Sequence, residues 1–162
     1  MAIRDAIAAD GDALAAIYNP YIADTVVTFE ETPILAQDMR DRVADVQRAG
    51  MPWLVLEEGG DVRGYAYATT WRTRVAYRHC CEISVYLDAA QGGRGYGTAL
   101  YEVLFERLLA SDLHVVLGCL TLPNDASVAL HEKFGLSKVA HFSEVGFKFG
   151  RWIDVGYWQR TL

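Results

Sequence analysis

The sequence has few cysteines and few histidines, and neither residue type is spaced as metal ligands or as a disulfide framework would be. The three cysteines are Cys80, Cys81 and Cys119, and no two of them form a CxxC pair. The four histidines are scattered along the chain without ligand spacing. We therefore expect free thiols and no bound metal.

Long hydrophobic runs are also missing. Apolar stretches such as 53–56 and 115–117 are only as long as a strand, and charged residues interrupt every longer one. The first residues lack the basic stretch, the apolar stretch and the small-residue cleavage site of a secretory signal. These absences predict a soluble, cytoplasmic protein that does not enter a membrane.

An excess of positive charge is absent as well. The chain has 15 lysines and arginines against 21 aspartates and glutamates, a net charge of −6, which gives no broad attraction for phosphate backbones. This composition argues against a nucleic-acid partner. With 162 residues and 52% hydrophobic side chains, the chain can build one sizeable core, and we expect a single domain over 1–162.

Hydrophobic periodicity predicts a mixed α/β domain in which strands and helices alternate for most of the chain. The predicted strands are 3–7, 53–57, 62–70, 81–87, 114–120, 139–149 and 153–159. Asp10 is the expected N-cap of a helix that buries Leu14, Ile17, Tyr18 and Tyr21. Further helices are predicted with Leu35, Met39, Val43 and Val46 on one face, after Gly97, and from Pro123 to Phe134.

A glycine-rich turn, Gly92-Gly-Arg-Gly-Tyr-Gly97, joins a predicted strand to a predicted helix. Unpaired backbone N–H groups and the positive end of the helix dipole converge at such a turn, which predicts a phosphate at 94–97. The turn lacks the Lys-Ser/Thr pair of a P-loop, and Thr98 stands where a dinucleotide motif needs glycine. Taken alone, the turn could equally serve only to reverse the chain.

Several segments in order resemble the core motifs of the GNAT superfamily of N-acetyltransferases. They are Cys81-Glu-Ile-Ser-Val-Tyr-Leu87, the glycine turn, Asn124 and Leu130-His-Glu-Lys-Phe-Gly135. Within that superfamily the chain resembles the phosphinothricin acetyltransferase family most, over nearly its whole length. This narrower likeness lies in Ile17-Tyr-Asn19, Trp71-Arg-Thr-Arg-Val-Ala-Tyr77, Leu122-Pro-Asn-Asp125, Gly146-Phe-Lys148 and Asp154-Val-Gly156.

The resemblance implies the GNAT fold, a mixed and mostly antiparallel central sheet splayed into a V and flanked by helices. It also implies acetyl-CoA as co-substrate, with the pantetheine arm on the strand edge, the pyrophosphate on the glycine turn and Asn124 against the arm. The implied cofactor-binding residues are Val85, Tyr86, Leu87, Gly92, Gly93, Arg94, Gly95, Tyr96, Gly97 and Asn124. One departure is Gly92, which stands where the superfamily usually has Gln or Arg. Backbone amides carry most phosphate binding at such turns, so the pyrophosphate site is still expected.

Glu82 and His131 are the candidate catalytic residues. Glu82 matches a candidate base of the family, and a carboxylate in a cleft can have a raised pKa that suits it to accept an ammonium proton. His131 stands where many superfamily members have a tyrosine that protonates the leaving thiolate, and an imidazole can serve as general acid or general base. The backbone N–H near Val85 is expected to stabilise the oxyanion. By itself, each residue could also be purely structural.

Phe29, Arg72, Arg74 and Tyr77 are the candidate substrate-binding residues. The basic pair and the tyrosine match the family segment that holds acidic groups of an amino acid, and the planar guanidinium suits a carboxylate or phosphinate. Phe149 replaces a histidine of close phosphinothricin acetyltransferases, which affects the expected substrate preference.

These residues predict acetyl transfer from acetyl-CoA to the α-amino group of a small amino acid, in a homodimer. Phosphinothricin and methionine sulfoximine or sulfone are the leading acceptors. The alternatives are an acetyltransferase for a polyamine, an aminoglycoside or a protein N-terminus, and a non-catalytic acyl-CoA-binding sensor.

Overall fold

Seven strands form one continuous sheet in the computed structural model, which describes residues 1–162. The strands are β1 (Ala2–Asp5), β2 (Trp53–Glu58), β3 (Asp61–Thr70), β4 (Cys80–Leu87), β5 (Val115–Leu122), β6 (Ser137–Lys148) and β7 (Arg151–Thr161). The helices are α1 (Gly11–Asp24), α2 (Ala36–Arg48), α3 (Tyr96–Leu109) and α4 (Asp125–Lys133). Short 3₁₀ turns lie at Ala8–Asp10, Val75–Tyr77 and Ala89–Gln91. The expected mixed α/β class is confirmed.

The strand order is β1-β2-β3-β4-β5-β7-β6, and every neighbouring pair is antiparallel except β4 with β5. Between these two parallel strands the chain forms α3, as a crossover between parallel strands requires. The parallel pairing is short and runs from Cys80 opposite Val115 to Ile83 opposite Gly118. Beyond that point β4 pairs only with β3, and β5 pairs only with β7. The sheet therefore splits between β4 and β5, as the predicted V requires.

The two faces of the sheet are covered by different helices. On one face α3 buries Leu100 and Leu104 against strand residues such as Ile83. On the other face α1 and α2 bury Leu14 and Met39 against β2 and β3. Because alternate residues of a strand point to opposite faces, both sides of the central strands are apolar. None of the helices is both long enough and apolar enough to cross a bilayer.

The two predicted helix starts differ in outcome. Asp10 occupies the N-cap position of α1 as predicted, but its carboxylate makes no hydrogen bond to the N–H groups of the helix. It accepts hydrogen bonds from the Arg4 guanidinium at 2.8 and 2.9 Å and from the Ile7 N–H at 2.8 Å. The Arg4 side chain lowers the pKa of this carboxyl, against the opposing effect of burial. Leu35 lies at the N-cap of α2 and is 71% exposed, so it is not part of the buried face.

The β6–β7 hairpin forms the free edge of the sheet beyond β5. Its turn places Phe149 at φ +53° and Gly150 at φ +71°. Positive φ at both central residues is the pattern of a type I′ turn, which matches the twist of the two strands. A side chain such as phenylalanine is uncommon in this region of φ, and Phe149 lies exposed at the hairpin tip.

Candidate active site

The cleft between β4 and β5 brings together four of the predicted site residues, Val85, Tyr86, Asn124 and His131. Past Ile83 and Gly118 the two strands have no cross-strand partners on their facing edges. The Leu87 carbonyl accepts from the Tyr21 hydroxyl at 2.8 Å and the Leu87 N–H donates to it at 3.3 Å, whereas no other strand covers the rest of this edge. The cleft is lined by Val27, Ile83, Ser84, Val85, Tyr86, Tyr101, Cys119, Leu120, Thr121, Asn124, Ser127 and His131. An extended ligand arm could thus bond to the β4 edge as an added strand would.

The glycine turn lies at the start of α3, immediately after β4. Gly93 has φ +79° and Gly95, the N-cap of α3, has φ +77°, a left-handed conformation that glycine adopts without strain. The first N–H groups of the helix have no partners within it and point towards solvent beyond the turn. Arg94 is exposed and lies within 3.2 Å of Glu58 and 3.1 Å of the Tyr96 hydroxyl. The turn therefore has the geometry of an anion site built from backbone amides.

Asn124 is the N-cap of α4 and lines the cleft. Its Oδ1 accepts a hydrogen bond from the Ser127 N–H at 3.2 Å, which fixes the side chain at the helix start. With Oδ1 used in this way, its amide NH₂ group remains to donate to a ligand in the cleft.

His131 is 2% exposed and is held by two hydrogen bonds. Nδ1 lies 2.7 Å from the carbonyl oxygen of Ser127, so Nδ1 carries the proton and donates it. Nε2 lies 3.1 Å from the Tyr101 hydroxyl. Burial lowers the pKa of His131, although the Ser127 carbonyl opposes that shift. The ring is therefore neutral near pH 7, and its unprotonated Nε2 accepts a hydrogen bond from the Tyr101 hydroxyl.

Gly118 makes room for this histidine. A Cβ atom at position 118 would lie 2.4 Å from Cδ2 of His131, closer than any real contact of that kind. His131 thus packs directly on the β5 backbone, on the face of the sheet covered by α3 and α4.

Glu82 lies on the opposite face of the sheet. Ile83 points into the core beneath α3, so its neighbours Glu82 and Ser84 point towards the face of α1 and α2. The Glu82 carboxylate has no basic partner, and burial raises its pKa. Burial raises the pKa of the Cys119 thiol, which lines the cleft, and the negative charge of Glu82 raises it further. His131 therefore lines the cleft, whereas Glu82 lies on the other face of the sheet and does not line it.

Arg72, Arg74 and Tyr77 lie on the segment between β3 and β4. Trp71 contacts Tyr77 edge to face at 5.2 Å between ring centroids, and the Arg72 guanidinium lies 4.8 Å from the centroid of the Trp71 ring. Seven other arginines have a carboxylate partner, whereas Arg72 and Arg74, like Arg78, Arg151 and Arg160, have none. Two free guanidinium groups two residues apart are ready to receive an anion.

Next to this segment is a cavity of about 400 Å³. Trp71, Arg72 and Tyr77 line one side of it, and Phe142 and Tyr157 line another. Arg74 does not line the cavity but precedes the 3₁₀ turn as an exposed residue.

Phe29 lies on the loop between α1 and α2, away from the arginines in sequence. Its ring packs flat on Gly146 of β6, where a Cβ would come within 2.2 Å of it. The buried Lys148 Nζ donates to the Thr28 carbonyl at 2.8 Å and fixes the same loop. This loop also supplies Val27 to the cleft. Lys148 belongs to the segment Gly146-Phe-Lys148 that resembles the family, but no local sequence pattern indicates that its side chain is buried.

Tyr101, Ser127, Cys119 and Tyr157 line the cleft or the neighbouring cavity and were not predicted as site residues. Tyr101 has a detectable signal, because it lies on the same helical face as Leu104 and Leu108, where a polar group needs a partner. No group of three or more His, Cys, Asp or Glu side chains is arranged to hold a metal ion.

Comparison with known proteins matches the chain to one protein family. The model of the family described as "Acetyltransferase (GNAT) domain" matches residues 3–156. The chain is 39% identical to the phosphinothricin N-acetyltransferase of Streptomyces viridochromogenes, covering 99% of this chain and 87% of that protein. It is 38% identical to the L-methionine sulfoximine/L-methionine sulfone acetyltransferase of Pseudomonas aeruginosa, covering 99% and 94%.

A solved structure of a protein with the same family name also matches this chain. The structure of a phosphinothricin acetyltransferase from Sinorhizobium meliloti in complex with AcCoA matches with a TM-score of 0.95 and 37% identity. The match covers 99% of this chain and 88% of that one.

Neutral His131 makes the stability of the fold depend on pH. Its pKa is lowered in the folded state, so the unfolded chain binds more protons, and stability falls as pH drops below about 6.5, the usual histidine value. Thermal melting of wild type and His131→Gln should be compared between about pH 8 and about pH 5. We expect wild type to lose more stability than the variant over this range. Parallel pH profiles would show that the ring is not held neutral.

Proposed function

Because this chain belongs to the GNAT family of acetyltransferases, we propose that it transfers an acetyl group from acetyl-CoA to the α-amino group of a small amino acid. Relatives in this family carry the names phosphinothricin N-acetyltransferase and methionine sulfoximine/sulfone acetyltransferase. The proposal for the acceptor rests on one observation, the guanidinium group of Arg72 at a cavity, with that of Arg74 two residues away and neither paired with a carboxylate. An α-carboxylate would neutralise their charge and orient the neighbouring amine.

For acetyl-CoA we propose the site that the open β4 edge provides. The pantetheine arm lies along the backbone edge of Val85, Tyr86 and Leu87, where it replaces the Tyr21 hydroxyl at Leu87, and the pyrophosphate binds the N–H groups of the glycine turn. The side-chain NH₂ of Asn124 donates to the arm. The acetyl carbonyl then lies near the Val85 N–H, which stabilises the oxyanion of the transition state.

The reaction needs a neutral amine, and Glu82 is the proposed base. Its carboxylate accepts one proton from the substrate ammonium, a transfer that its raised pKa favours. The nitrogen then attacks the acetyl carbonyl carbon, the C–S bond breaks, and the second nitrogen proton leaves with the CoA thiolate. No covalent bond to the enzyme forms in this direct transfer.

For His131 the geometry favours a role as proton acceptor over a role as acid. A neutral ring with its proton on Nδ1, committed to Ser127, has none to give from Nε2. We propose that His131 holds the Tyr101 hydroxyl in the cleft, so that this pair orders the groups around the leaving thiol.

The alternative acceptors fit the site less well. Polyamines and aminoglycosides are cations, which Arg72 and Arg74 would repel. A non-catalytic acyl-CoA sensor would have no need for an unpartnered, partly buried Glu82. The sensor hypothesis predicts binding of acetyl-CoA without release of thiol in the presence of any amine.

Substitution Glu82→Gln tests the base. With an amino acid such as methionine sulfone as acceptor, we expect kcat to fall about a hundredfold or more, the usual size of lost general-base catalysis. In wild type, the rate should fall as pH drops through the raised pKa of Glu82, and the variant should lack this limb. Free thiol release measures both, and Glu102→Gln on the exposed face of α3 is the control. Wild-type turnover in Glu82→Gln would exclude this role.

Substitution Gly95→Val tests the acetyl-CoA site. Valine is strained at φ +77°, so the turn must change and its N–H groups must lose their common direction. Wild-type melting temperature should rise with acetyl-CoA concentration, because the ligand binds only the folded state, and this rise should vanish in Gly95→Val. Gly50→Val, at the same φ of +77° just after α2, imposes the same strain away from the site. It should keep the ligand-dependent rise.

We also propose that the protein is a homodimer joined through the β6–β7 hairpin. β6 is an edge strand, and the hairpin exposes an unusual number of large apolar side chains. These are Val139, Phe142, Val145, Phe147, Phe149 and Trp152, each about half exposed or more.

Sedimentation equilibrium tests the dimer. The chain has a mass of 18.0 kDa, and wild type should sediment with twice that mass. Trp152→Lys places a charge on the hairpin surface and should yield a folded monomer. A wild-type protein that sediments as a monomer at all concentrations would contradict the proposal.

A further inference from the structure

The loop 25–35 between α1 and α2 crosses the split in the sheet, and we call it the strap. α1 packs on β2 and β3, and its Tyr21 hydroxyl bonds Leu87 of β4, so the strap starts from the half of the sheet that ends at β4. Its middle rests on β6 in the other half, where the Phe29 ring packs on Gly146. The strap therefore joins the two halves at a second place, beyond the four residue pairs that β4 and β5 make.

Thr28 is the residue at which the strap is fastened to both halves. Its hydroxyl lies 2.7 Å from the Tyr18 hydroxyl of α1, and its carbonyl accepts a hydrogen bond from Lys148 Nζ of β6 at 2.8 Å. Lys148 is only 2% exposed, and lysine is almost never buried so deeply unless its charge has partners. Because Lys148 would lose this partner while buried, the bond holds the strap firmly against β6.

Val27, the neighbour of Thr28 in the strap, lines the cleft between β4 and β5. It is apolar and yet 36% exposed, and it belongs to neither hydrophobic core. Val85, whose N–H is the proposed oxyanion donor, lines the same cleft. The strap thus presents an aliphatic side chain to the site that we propose for the acyl carbonyl.

The cleft is much smaller than the cavity proposed for the acceptor. The two volumes are about 40 Å³ and about 400 Å³. The two spaces meet where Cys119 of the cleft stands opposite Tyr157 of the cavity on neighbouring strands. Val27 lines the cleft and not the cavity, so the group that contacts it belongs to the acyl donor and not to the acceptor. In an apolar site, one methylene changes kcat/KM by about 10–200-fold.

We propose that Val27 restricts the acyl group of the CoA thioester to acetyl, and that Lys148 is the positioning residue that holds Val27 in the cleft through Thr28. A propionyl or longer group would have to push the Val27 side chain aside, and the fastened strap resists that displacement. This inference rests on the proposed acetyl transfer and adds the residues that select the acyl donor.

Donor selectivity of wild type is the first measurement. Thiol release from acetyl-, propionyl- and butyryl-CoA is followed with L-methionine sulfone and L-alanine as acceptors. We expect kcat/KM for propionyl-CoA to lie about tenfold or more below that for acetyl-CoA, and that for butyryl-CoA to be lower still. Similar values for acetyl- and propionyl-CoA would overturn the inference and leave the proposed function standing. If no donor releases thiol with either acceptor, the proposed function itself fails.

Two substitutions of Val27 should move the selectivity in opposite directions. Val27→Ala removes two methyl groups and should lower the ratio of kcat/KM for acetyl-CoA to that for propionyl-CoA by about fivefold or more. Val27→Ile adds one methylene and should raise this ratio. Val145→Ala makes the same truncation on the exposed part of β6 and should leave the ratio unchanged. A wild-type ratio in both Val27 variants, or a change only in the preference among acceptors, would contradict the role of Val27.

Lys148→Met tests the positioning role. Methionine keeps the unbranched chain but loses the ammonium donor, so the strap is released from β6 and the donor ratio should fall about as far as in Val27→Ala. The double variant Val27→Ala/Lys148→Met should show no further fall, because both changes act through one side chain. Lys148→Arg keeps the charge and a donor and should retain the wild-type ratio. Lys138→Met, on the exposed part of the same strand, is the matched control.

The ratio for two donors is measured on the same folded molecules, so partial unfolding of a variant lowers both rates and leaves the ratio unaffected. A variant that only loses stability therefore does not imitate the expected result. A wild-type ratio in Lys148→Met, or fully additive falls in the double variant, would exclude Lys148 as the positioning residue. The two Val27 variants test the donor limit even if Lys148→Met does not fold.

Discussion

The separation of β4 from β5 after four paired residues is the constraint on which the rest of the site depends. Each strand keeps a partner past the split, because β3 pairs with β4 up to Leu87 and β7 pairs with β5 up to Leu122. The sheet can therefore open without losing either strand. The open edges leave backbone donors and acceptors that no neighbouring strand satisfies, and the Tyr21 hydroxyl bonds those of Leu87. Binding of an extended cofactor arm follows from the same backbone chemistry that builds the sheet.

Glycine and histidine meet on β5 at the last residue that pairs with β4. Gly118 has no side chain, so α4 can lay His131 directly on this strand. The ring is buried and bonded at both nitrogens, which selects one tautomer and keeps it neutral. Glu82, on the other face, is partly buried without a partner, and burial raises its pKa. One sheet thus gives its two titratable site residues opposite surroundings.

The polar contacts of the α1–α2 loop link these surroundings to the helices. Thr28 accepts from the buried Lys148, and the Tyr18 hydroxyl bonds to Thr28 at 2.7 Å and to Glu30, which Arg42 holds in turn. A buried network of this kind is stable only when every member is satisfied. It fixes the loop that supplies Val27 to the cleft. It also pairs the charge of Arg42 with the carboxylate of Glu30.

The sequence by itself determined the order of strands and helices, the glycine turn before α3 and the family, because periodicity, turn residues and short motifs are local properties of a chain. Only the tertiary structure decided that the carboxylate of Asp10, at the N-cap of α1, bonds Arg4, that Tyr101 faces His131, and that Arg72 and Arg74 lack carboxylate partners. The cavity beside α2 likewise joins residues from α1, α2, β2 and β3. Burial, pairing and pKa depend on contacts between segments distant in sequence, and a local pattern carries no record of which distant side chain will fill a given space.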